Sequence, residues 1–198
     1  MTKQNINGFS MIEVLVTIVI LMIGLLGLAG LQARALTSQM ESYQRAQALI
    51  LLKDMAARIN ANRKNIAFYL TPPPAYLGTG DTQPASCAAL TNQQLLDFCE
   101  WSNALKGTAE KQGANNAGAM IGARGCIYQI SAPATGVAGQ YVVVVAWQGI
   151  NITSAPENLT ATSPGKCGAG TYLDKDGNVN EALHRVVSLP INMANLLN

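Results

Sequence analysis

The beginning of the chain is dominated by one long apolar run. Between residues 11 and 31 the only strongly polar side chain is Glu13, and about 20 apolar residues are enough for an α-helix to span a bilayer. The residues before this run carry one charged side chain, Lys3, and no hydrophobic block. The pattern predicts a membrane-spanning helix, and Lys3 favours a cytoplasmic N-terminus with the rest of the chain outside.

Apolar residues continue at helical spacing after residue 32, although charged residues return there. This stripe consists of Leu36, Met40, Tyr43, Ala46, Ile50, Met55 and Ile59. It predicts an amphipathic continuation of the same helix, with the stripe packed in the protein core rather than around a cofactor. A helix of about 55 residues is about 80 Å long, and we expect half of it to protrude and half to pack on a globular head. It should end near residues 60–62, because the prolines at 72–74 cannot continue a helix.

Strand patterns appear only in the second half of the chain. Residues 126–130, 141–147 and 183–191 are rich in β-branched or aromatic residues. The preceding segment, residues 78–125, is rich in Gly, Ala, Asn and Thr and contains one short helical pattern at residues 93–105. These elements predict an α+β fold, in which a small antiparallel sheet of three or four strands packs on the amphipathic half of the helix.

Composition limits the classes of function. The chain has 198 residues, of which 49% are hydrophobic and 12% are charged, whereas about 25% of residues in soluble domains are charged. This length allows one domain with an added segment, and the low charge predicts that part of the chain lies outside water. The net charge is +2, without a basic stripe, so we expect no nucleic-acid partner.

The four cysteines all follow the predicted helix and are Cys87, Cys99, Cys126 and Cys167. An even number of cysteines in a chain with an export-like N-terminus favours disulfides. Their spacing, with a single histidine in the chain, does not form a usual zinc site, and we expect no metal. Four cysteines permit three connectivities. Local pairing, Cys87 with Cys99 and Cys126 with Cys167, is the simplest and would staple two long irregular segments.

Two further signals are expected to be structural. Residues 174–178, with the sequence DKDGN, place glycine at the fourth position, whereas an EF-hand loop needs it at the sixth. A turn between strands is therefore expected. His184 lies in an apolar strand pattern without a catalytic motif nearby. The sequence thus predicts no catalytic residue and no cofactor.

Three interpretations of the N-terminus are open. A secretory signal peptide would be cut near the A-x-A-like residues 33–35, but the apolar run exceeds the usual length of about 7 to 15 residues. An uncleaved membrane anchor explains the length, but not the sharp boundary between Gly8 and Phe9 or the carboxylate of Glu13. The third interpretation accounts for all of these features and comes from a family resemblance.

Residues 8–16, with the sequence GFSMIEVLV, resemble the type IV prepilin signature. That signature has a glycine before the cut, a hydrophobic N-methylated first residue and a glutamate as the fifth mature residue, and the resemblance covers about the first 35 residues. It implies that a prepilin peptidase cuts after Gly8 and methylates Phe9. It also implies that Glu13 pairs with the N-terminal amine of a neighbouring subunit and sets the axial register.

The chemistry of Glu13 fits this role. A charged side chain near the middle of a membrane helix costs about 2.5–3.5 kcal/mol, and such residues usually have a partner. Cleavage after Gly8 creates an amine at Phe9, which lies four residues before Glu13 on the same helix face. Pairing in a dry helix bundle would act more as a check of position than as a source of net stability.

Three glycines follow in the apolar run, at Gly24, Gly27 and Gly30. Small residues on one helix stripe allow close backbone approach in membranes. Major pilins commonly carry a proline at the twenty-second mature residue, where this chain has Gly30. We therefore interpret the glycines as the source of local helix flexibility.

The resemblance implies a pilin-like ladle with four segments: a leader at residues 1–8, a transmembrane and assembly helix at 9–31, an amphipathic helix half at 32–66, and a periplasmic head at 67–198. Residues 144–149, with the sequence VVAWQG, resemble the minor pilins of the PilV type. The implied function is that of a minor pilin, which primes type IV pilus assembly, takes a place in a tip complex and supports twitching motility and adhesion.

The expected partners are a prepilin peptidase, other minor pilins and the major pilin, the bacterial inner membrane and the pilus assembly platform. The expected location is a single pass through the inner membrane with a periplasmic head, followed by the extracellular pilus. A type II secretion pseudopilin is the nearest alternative, because it shares the N-terminal signature. A membrane-tethered periplasmic enzyme or binding protein is the alternative from another class, and it predicts a pocket with convergent ionisable groups.

Overall fold

The computed structural model describes residues 8–71, 75–108, 111–113, 115–116, 120–134, 137–157 and 163–194. Residues 1–7 of the predicted leader and the prolines at 72–74 lie outside the described residues. The chain divides into two compact units, Met1–Met40 and Glu41–Asn198.

A single α-helix, α1, extends over Met11–Ala61. It begins where the carbonyl of Ser10 accepts hydrogen bonds from the backbone N–H groups of Glu13 and Val14, at 3.0 and 3.3 Å. Its end at Ala61 agrees with the predicted end near residues 60–62. A 3-10 helix, Arg63–Tyr69, follows it.

The unit Glu41–Asn198 contains the sheet. Its strands are β1 Leu77–Gly78, β4 Ile121–Ser131, β5 Gly139–Gln148 and β6 His184–Met193, in the antiparallel order β1-β4-β5-β6. Two short strands, β2 Lys111–Gln112 and β3 Asn115–Asn116, form a separate hairpin. A second helix, α2 Gln93–Leu105, starts at Asn92, whose side chain accepts hydrogen bonds from two backbone N–H groups of the first turn. The predicted short helix and the three predicted strands are confirmed.

The inner face of the sheet packs on the second part of α1, which confirms the predicted α+β fold. The main core includes Ala48, Leu52, Met55, Ala56, Ile59, Trp101, Ile127, Val143 and Val145. Trp101 of α2 is fully buried, and its indole N–H donates to the carbonyl of Leu51 at 2.9 Å. A Cβ at Gly125 would lie 2.3 Å from the Trp101 ring, so this strand position requires glycine.

The predicted helix stripe was right for its last two members, Met55 and Ile59, which are buried, and wrong for the others. Its first five members, Leu36, Met40, Tyr43, Ala46 and Ile50, are exposed. The buried face instead consists of Gln44, Ala48, Leu52, Met55, Ala56 and Ile59. Apolar residues lie on more than one side of this helix, so periodicity alone does not decide which side the sheet covers.

A second, smaller core lies on the outer face of the sheet. It consists of Cys126, Tyr128, Val142, Val144, Ala146, Cys167 and Tyr172. Residues 163–173 contribute Cys167 and Tyr172 to it, and the Cys126–Cys167 disulfide attaches this segment to β4. The sheet is therefore packed on both faces, by α1 on the inner one and by an irregular segment on the outer one.

Candidate functional site

The N-terminal motif residues lie at an exposed helix start. Phe9 is 86% exposed, and a Cβ added at Gly8 would meet no atom within 4 Å. Glu13 lies in the first turn of α1 and is exposed. An acid in the first turn is favourable because the helix N-terminus carries partial positive charge. The backbone before Glu13 is thus open to an enzyme or to a neighbouring chain.

The apolar run that follows has no contacts that bury it. Among the described residues, α1 is the one helix that is long and apolar enough to cross a membrane, and none of its most apolar window is buried. Leu25 and Leu26 are typical, with 65% and 73% of their surface exposed. Exposed leucines in such a continuous run require an apolar partner, which is lipid or another helix.

The three glycines lie within the continuous helix. At Gly24, Gly27 and Gly30 an added Cβ would meet no atom within 4 Å. Nothing among the described residues therefore requires glycine at these positions. Any need for a small side chain there has to come from another molecule.

Both disulfides belong to the unit Glu41–Asn198. The structure joins Cys87 to Cys99 and Cys126 to Cys167, which is the local pairing that the sequence favoured. Cys126, Cys167 and Cys99 are buried, whereas Cys87 is half-buried. The first bond ties the irregular segment after α1 to α2, and the second ties β4 to the outer segment.

A charged network fixes the end of α1 to α2. Arg58 contacts three carboxylates, those of Asp54 at 3.0 Å, Asp97 at 3.1 Å and Glu100 at 2.6 Å. Asp97 is nearly fully buried and also accepts a hydrogen bond from the hydroxyl of Tyr69. Burial and this hydrogen bond raise the pKa of Tyr69 to about 12, so the hydroxyl remains a donor at neutral pH.

Two family models match the chain. The model of the prokaryotic N-terminal methylation motif matches residues 3–29. The model described as type IV pilin Tt1218 matches residues 30–103. Together the matches run without a break over roughly half of the chain, from the leader to α2.

The chain belongs to the type IV pilin family. This family is structural and non-enzymatic, and the methylation motif implies processing by a prepilin peptidase and assembly into pili. No curated protein and no solved structure matched the chain. The matched regions include Gly8, Phe9, Glu13 and the three glycines.

The head of this pilin also contains a cation that the sequence analysis missed. Arg124 of β4 is buried, with its guanidinium carbon 5.0 Å from the ring centre of Tyr76 and 5.1 Å from that of Tyr172. One guanidinium N–H donates to the carbonyl of Gly122 at 2.9 Å. The two aromatic faces stabilise the charge where no carboxylate contacts it among the described residues.

His184 is structural, as the sequence predicted. Its ring packs on Tyr172 with 4.8 Å between ring centres, and Nδ1 lies 2.8 Å from a carboxylate oxygen of Glu181. Burial lowers the pKa of His184, although Glu181 opposes this effect. The ring is therefore mainly neutral at physiological pH.

The turn at residues 174–178 is confirmed, because the side chain of Asp174 accepts hydrogen bonds from the backbone N–H groups of Asp176 and Asn178 at 2.9 Å. A shallow depression of about 500 Å³ lies beside this turn and is open to solvent. Within the described residues, no group of three His, Cys, Asp or Glu side chains is arranged to hold a metal ion. His184 does not line the depression, so the head's one histidine and this surface are separate features.

Proposed function

We propose that this type IV pilin is a minor pilin that primes pilus assembly at the inner membrane and takes a place in a tip complex. The observation that carries its first part, an assembly subunit anchored in a membrane, is the exposed apolar run of α1 directly behind the methylation motif. A helix of this kind serves first as a membrane anchor and then as a packing surface between subunits. Such a subunit supports twitching motility and adhesion through the pilus that it helps to build.

Two departures from major pilins support the minor class. Gly30 stands where major pilins commonly have proline, and α1 runs continuously through this position. The head carries two disulfides, Cys87–Cys99 and Cys126–Cys167, in place of a single disulfide in a C-terminal loop. The PilV-type assignment rests on the resemblance of the head sequence alone.

The proposed mechanism begins with cleavage after Gly8 by the prepilin peptidase, which exposes the amine of Phe9 and methylates it. In a filament the carboxylate of Glu13 then faces the amine of a neighbouring minor or major pilin. An unpaired carboxylate within an apolar helix bundle is costly, so a misplaced subunit is disfavoured. The pilus assembly platform moves the helix from the bilayer into this bundle.

The N-terminus of the mature protein tests the first step. Mass analysis of protein recovered from membranes should find a methylated N-terminal Phe9. An intact Met1 would contradict cleavage, and a start at Leu36 would indicate an ordinary signal peptidase. Gly8→Val should leave the leader attached, because it removes the glycine that the prepilin signature has before the cut.

Substitution of the acid tests the second step. Glu13→Val should be cleaved normally but enter pili less efficiently, because it has no carboxylate for the neighbouring amine. Glu13→Asp is the matched control, since it keeps the charge and should retain part of the incorporation. Equal incorporation of Glu13→Val and the wild type, with normal processing, would contradict the register role.

Deletion of the protein distinguishes the minor pilin from a type II secretion pseudopilin. The two classes share the N-terminal signature, so the discriminating evidence is physiological. Loss of surface pili with normal protein secretion supports the minor pilin. Loss of secretion with normal piliation would identify a pseudopilin instead.

A further inference from the structure

Among the described residues, the sheet has one long edge without a strand partner. In the order β1-β4-β5-β6, the strand β6 lies at the edge and pairs with β5 over its full length without a register shift. The opposite edge is partly covered, because β1 pairs with β4 and Thr71 forms hydrogen bonds with both the N–H and the carbonyl of Ile127. The β4 edge of the sheet is therefore partly covered by other residues, whereas the β6 edge has no such cover from a described strand.

The hydrogen-bond pattern establishes which residues of β6 face the open edge. The N–H of Gly149 donates to the carbonyl of Leu183 at 2.8 Å, and this pair continues the β5–β6 register. In an antiparallel pair the residues alternate between facing the partner strand and facing away. Odd-numbered residues of β6 thus bond to β5. The even-numbered residues, His184, Val186, Ser188, Pro190 and Asn192, direct their backbone groups to the open edge.

The far edge confirms this alternation. Thr79 donates to the carbonyl of Ala123, and Thr71 bonds to Ile127, so odd-numbered residues of β4 face away from β5. Even-numbered residues of β4 and β5 therefore bond to each other, and odd-numbered residues of β5 bond to β6. The parity is consistent over Leu77–Gly78, over residues 124–129 of β4 with their partners in β5, and over the whole β5–β6 pair, whereas the β4–β5 register shifts near both ends of β4.

The 3-10 helix Pro164–Lys166 packs near β6, so the part of the edge that remains available among the described residues is the one whose outward positions are exposed. The N–H of His184 is bonded locally to the carbonyl of Glu181. No backbone hydrogen bond between described residues uses the outward groups of Val186, Ser188 or Asn192. Ser188, Pro190 and Asn192 are also exposed. An exposed row of backbone donors and acceptors is a template for a strand of another chain.

We propose that Pro190 keeps this edge unpaired by blocking the addition of β6 from a second copy of the chain. It lies at an outward-facing position of β6, where it supplies no N–H and its ring occupies the space of the missing donor. If β6 paired with β6 of a second copy, each of the two strands would lack the backbone N–H at Pro190. The carbonyl opposite each proline would then be buried without a donor.

The second copy is the relevant partner because an identical edge is self-complementary in an antiparallel pair. This inference does not depend on the proposed minor pilin role, because it follows from the sheet alone. It applies equally to the isolated membrane-anchored protein.

Restoring the donor tests the proposal. Pro190→Thr adds an N–H and a residue that favours strands, and the exposed site accepts the side chain without a change in packing. The mature full-length protein in detergent micelles should shift from one head to a pair of heads in analytical ultracentrifugation. Amide exchange should slow at Val186, Ser188 and Asn192 in this variant and remain fast in the wild type.

The matched control moves the proline by two residues. Ser188→Pro combined with Pro190→Thr places the defect at another outward position, and it should restore the wild-type mass and fast exchange. The wild type, Pro190→Thr and the double variant share the same apolar helix, so any association through that helix is the same in all three. Differences in mass or amide exchange between them therefore come from the β6 edge. A Pro190→Thr variant that keeps the wild-type mass and fast edge exchange would overturn the proposal. Slow exchange at Ser188 and Asn192 in the wild type would overturn it as well.

Discussion

Within one continuous helix, the residues before Glu41 and those after it differ in what surrounds them. Leu25 has 65% of its surface exposed, whereas Leu52, further along α1, has 2% exposed. Both are leucines in the same regular backbone. The first requires an external apolar environment, and the second is stabilised by the head's own core.

The comparison shows that one secondary structure element can serve two separate purposes. The unit Met1–Met40 has no buried side chain among its described residues, so its side chains remain available for lipid or for other subunits. The unit Glu41–Asn198 has two apolar cores and both disulfides. Substitutions in the two units should therefore affect different measurements.

The largest expected effect is the loss of the Trp101 side chain. Trp101→Ala leaves a cavity between α1, α2 and Gly125, and it should lower the free energy of unfolding of the head by about 3–5 kcal/mol. Leu25→Ala is the control from the exposed unit, and it should change this free energy by less than about 0.5 kcal/mol. Denaturant unfolding followed by near-UV circular dichroism measures both. Equal losses would show that the two units do not differ in this way.

Removal of the disulfides should have the next largest effect, and the two bonds should differ. The Cys126–Cys167 bond spans 41 residues, and the Cys87–Cys99 bond spans 12. A longer closed loop restricts the unfolded chain more, so Cys126→Ala with Cys167→Ala should cost about 1 kcal/mol more than Cys87→Ala with Cys99→Ala. Denaturant unfolding of both double variants tests this order, and the reverse order would contradict it.

Acid should weaken the head through His184, by less than the loss of a disulfide. Its pKa in the folded state lies below the ordinary value of 6.5, so the unfolded chain binds the proton more readily. The free energy of unfolding should be highest above pH 6.5 and fall as the pH decreases from there to the lowered pKa. His184→Gln should remove this part of the pH dependence. An unchanged slope between pH 7 and pH 5 in that variant would assign the effect to other groups.

The smallest effect is expected at the exposed glycines. Gly27→Ala adds a Cβ that meets no atom within 4 Å, and it should stabilise the helix by up to about 1 kcal/mol through intrinsic propensity. Far-UV circular dichroism in micelles should register equal or greater helicity, while unfolding of the head is unchanged. If Gly27→Ala enters pili less efficiently than the wild type while its head is equally stable, glycine is required at this position for contacts between subunits.

Several elements could be predicted because their signals are local. The helical pattern at residues 93–105 coincides with α2, and the β-branched runs coincide with β4, β5 and β6. The buried face of α1 could not be predicted in the same way. Ile50 is as apolar as Leu52, and only the position of the sheet distinguishes them.

Some residues of the candidate site could likewise be predicted from the local sequence, and others could not. Gly8, Phe9 and Glu13 were identifiable because a processing motif is read as contiguous sequence. The burial of Arg124 between Tyr76 and Tyr172 was not identifiable, since these residues come from three separate segments. A lone arginine in an otherwise apolar strand is a weak signal that could have drawn attention to it.

The sequence by itself determined the membrane-length helix, the processing motif, the number of long strands and the supply of cysteines, because each depends on the chemistry and spacing of neighbouring residues. Only the tertiary structure decided which face of α1 is covered, how Arg58 meets Asp97, and that Pro190 faces an open sheet edge. Those features depend on strand order and on contacts between residues far apart in the chain, and these are established only when the chain folds.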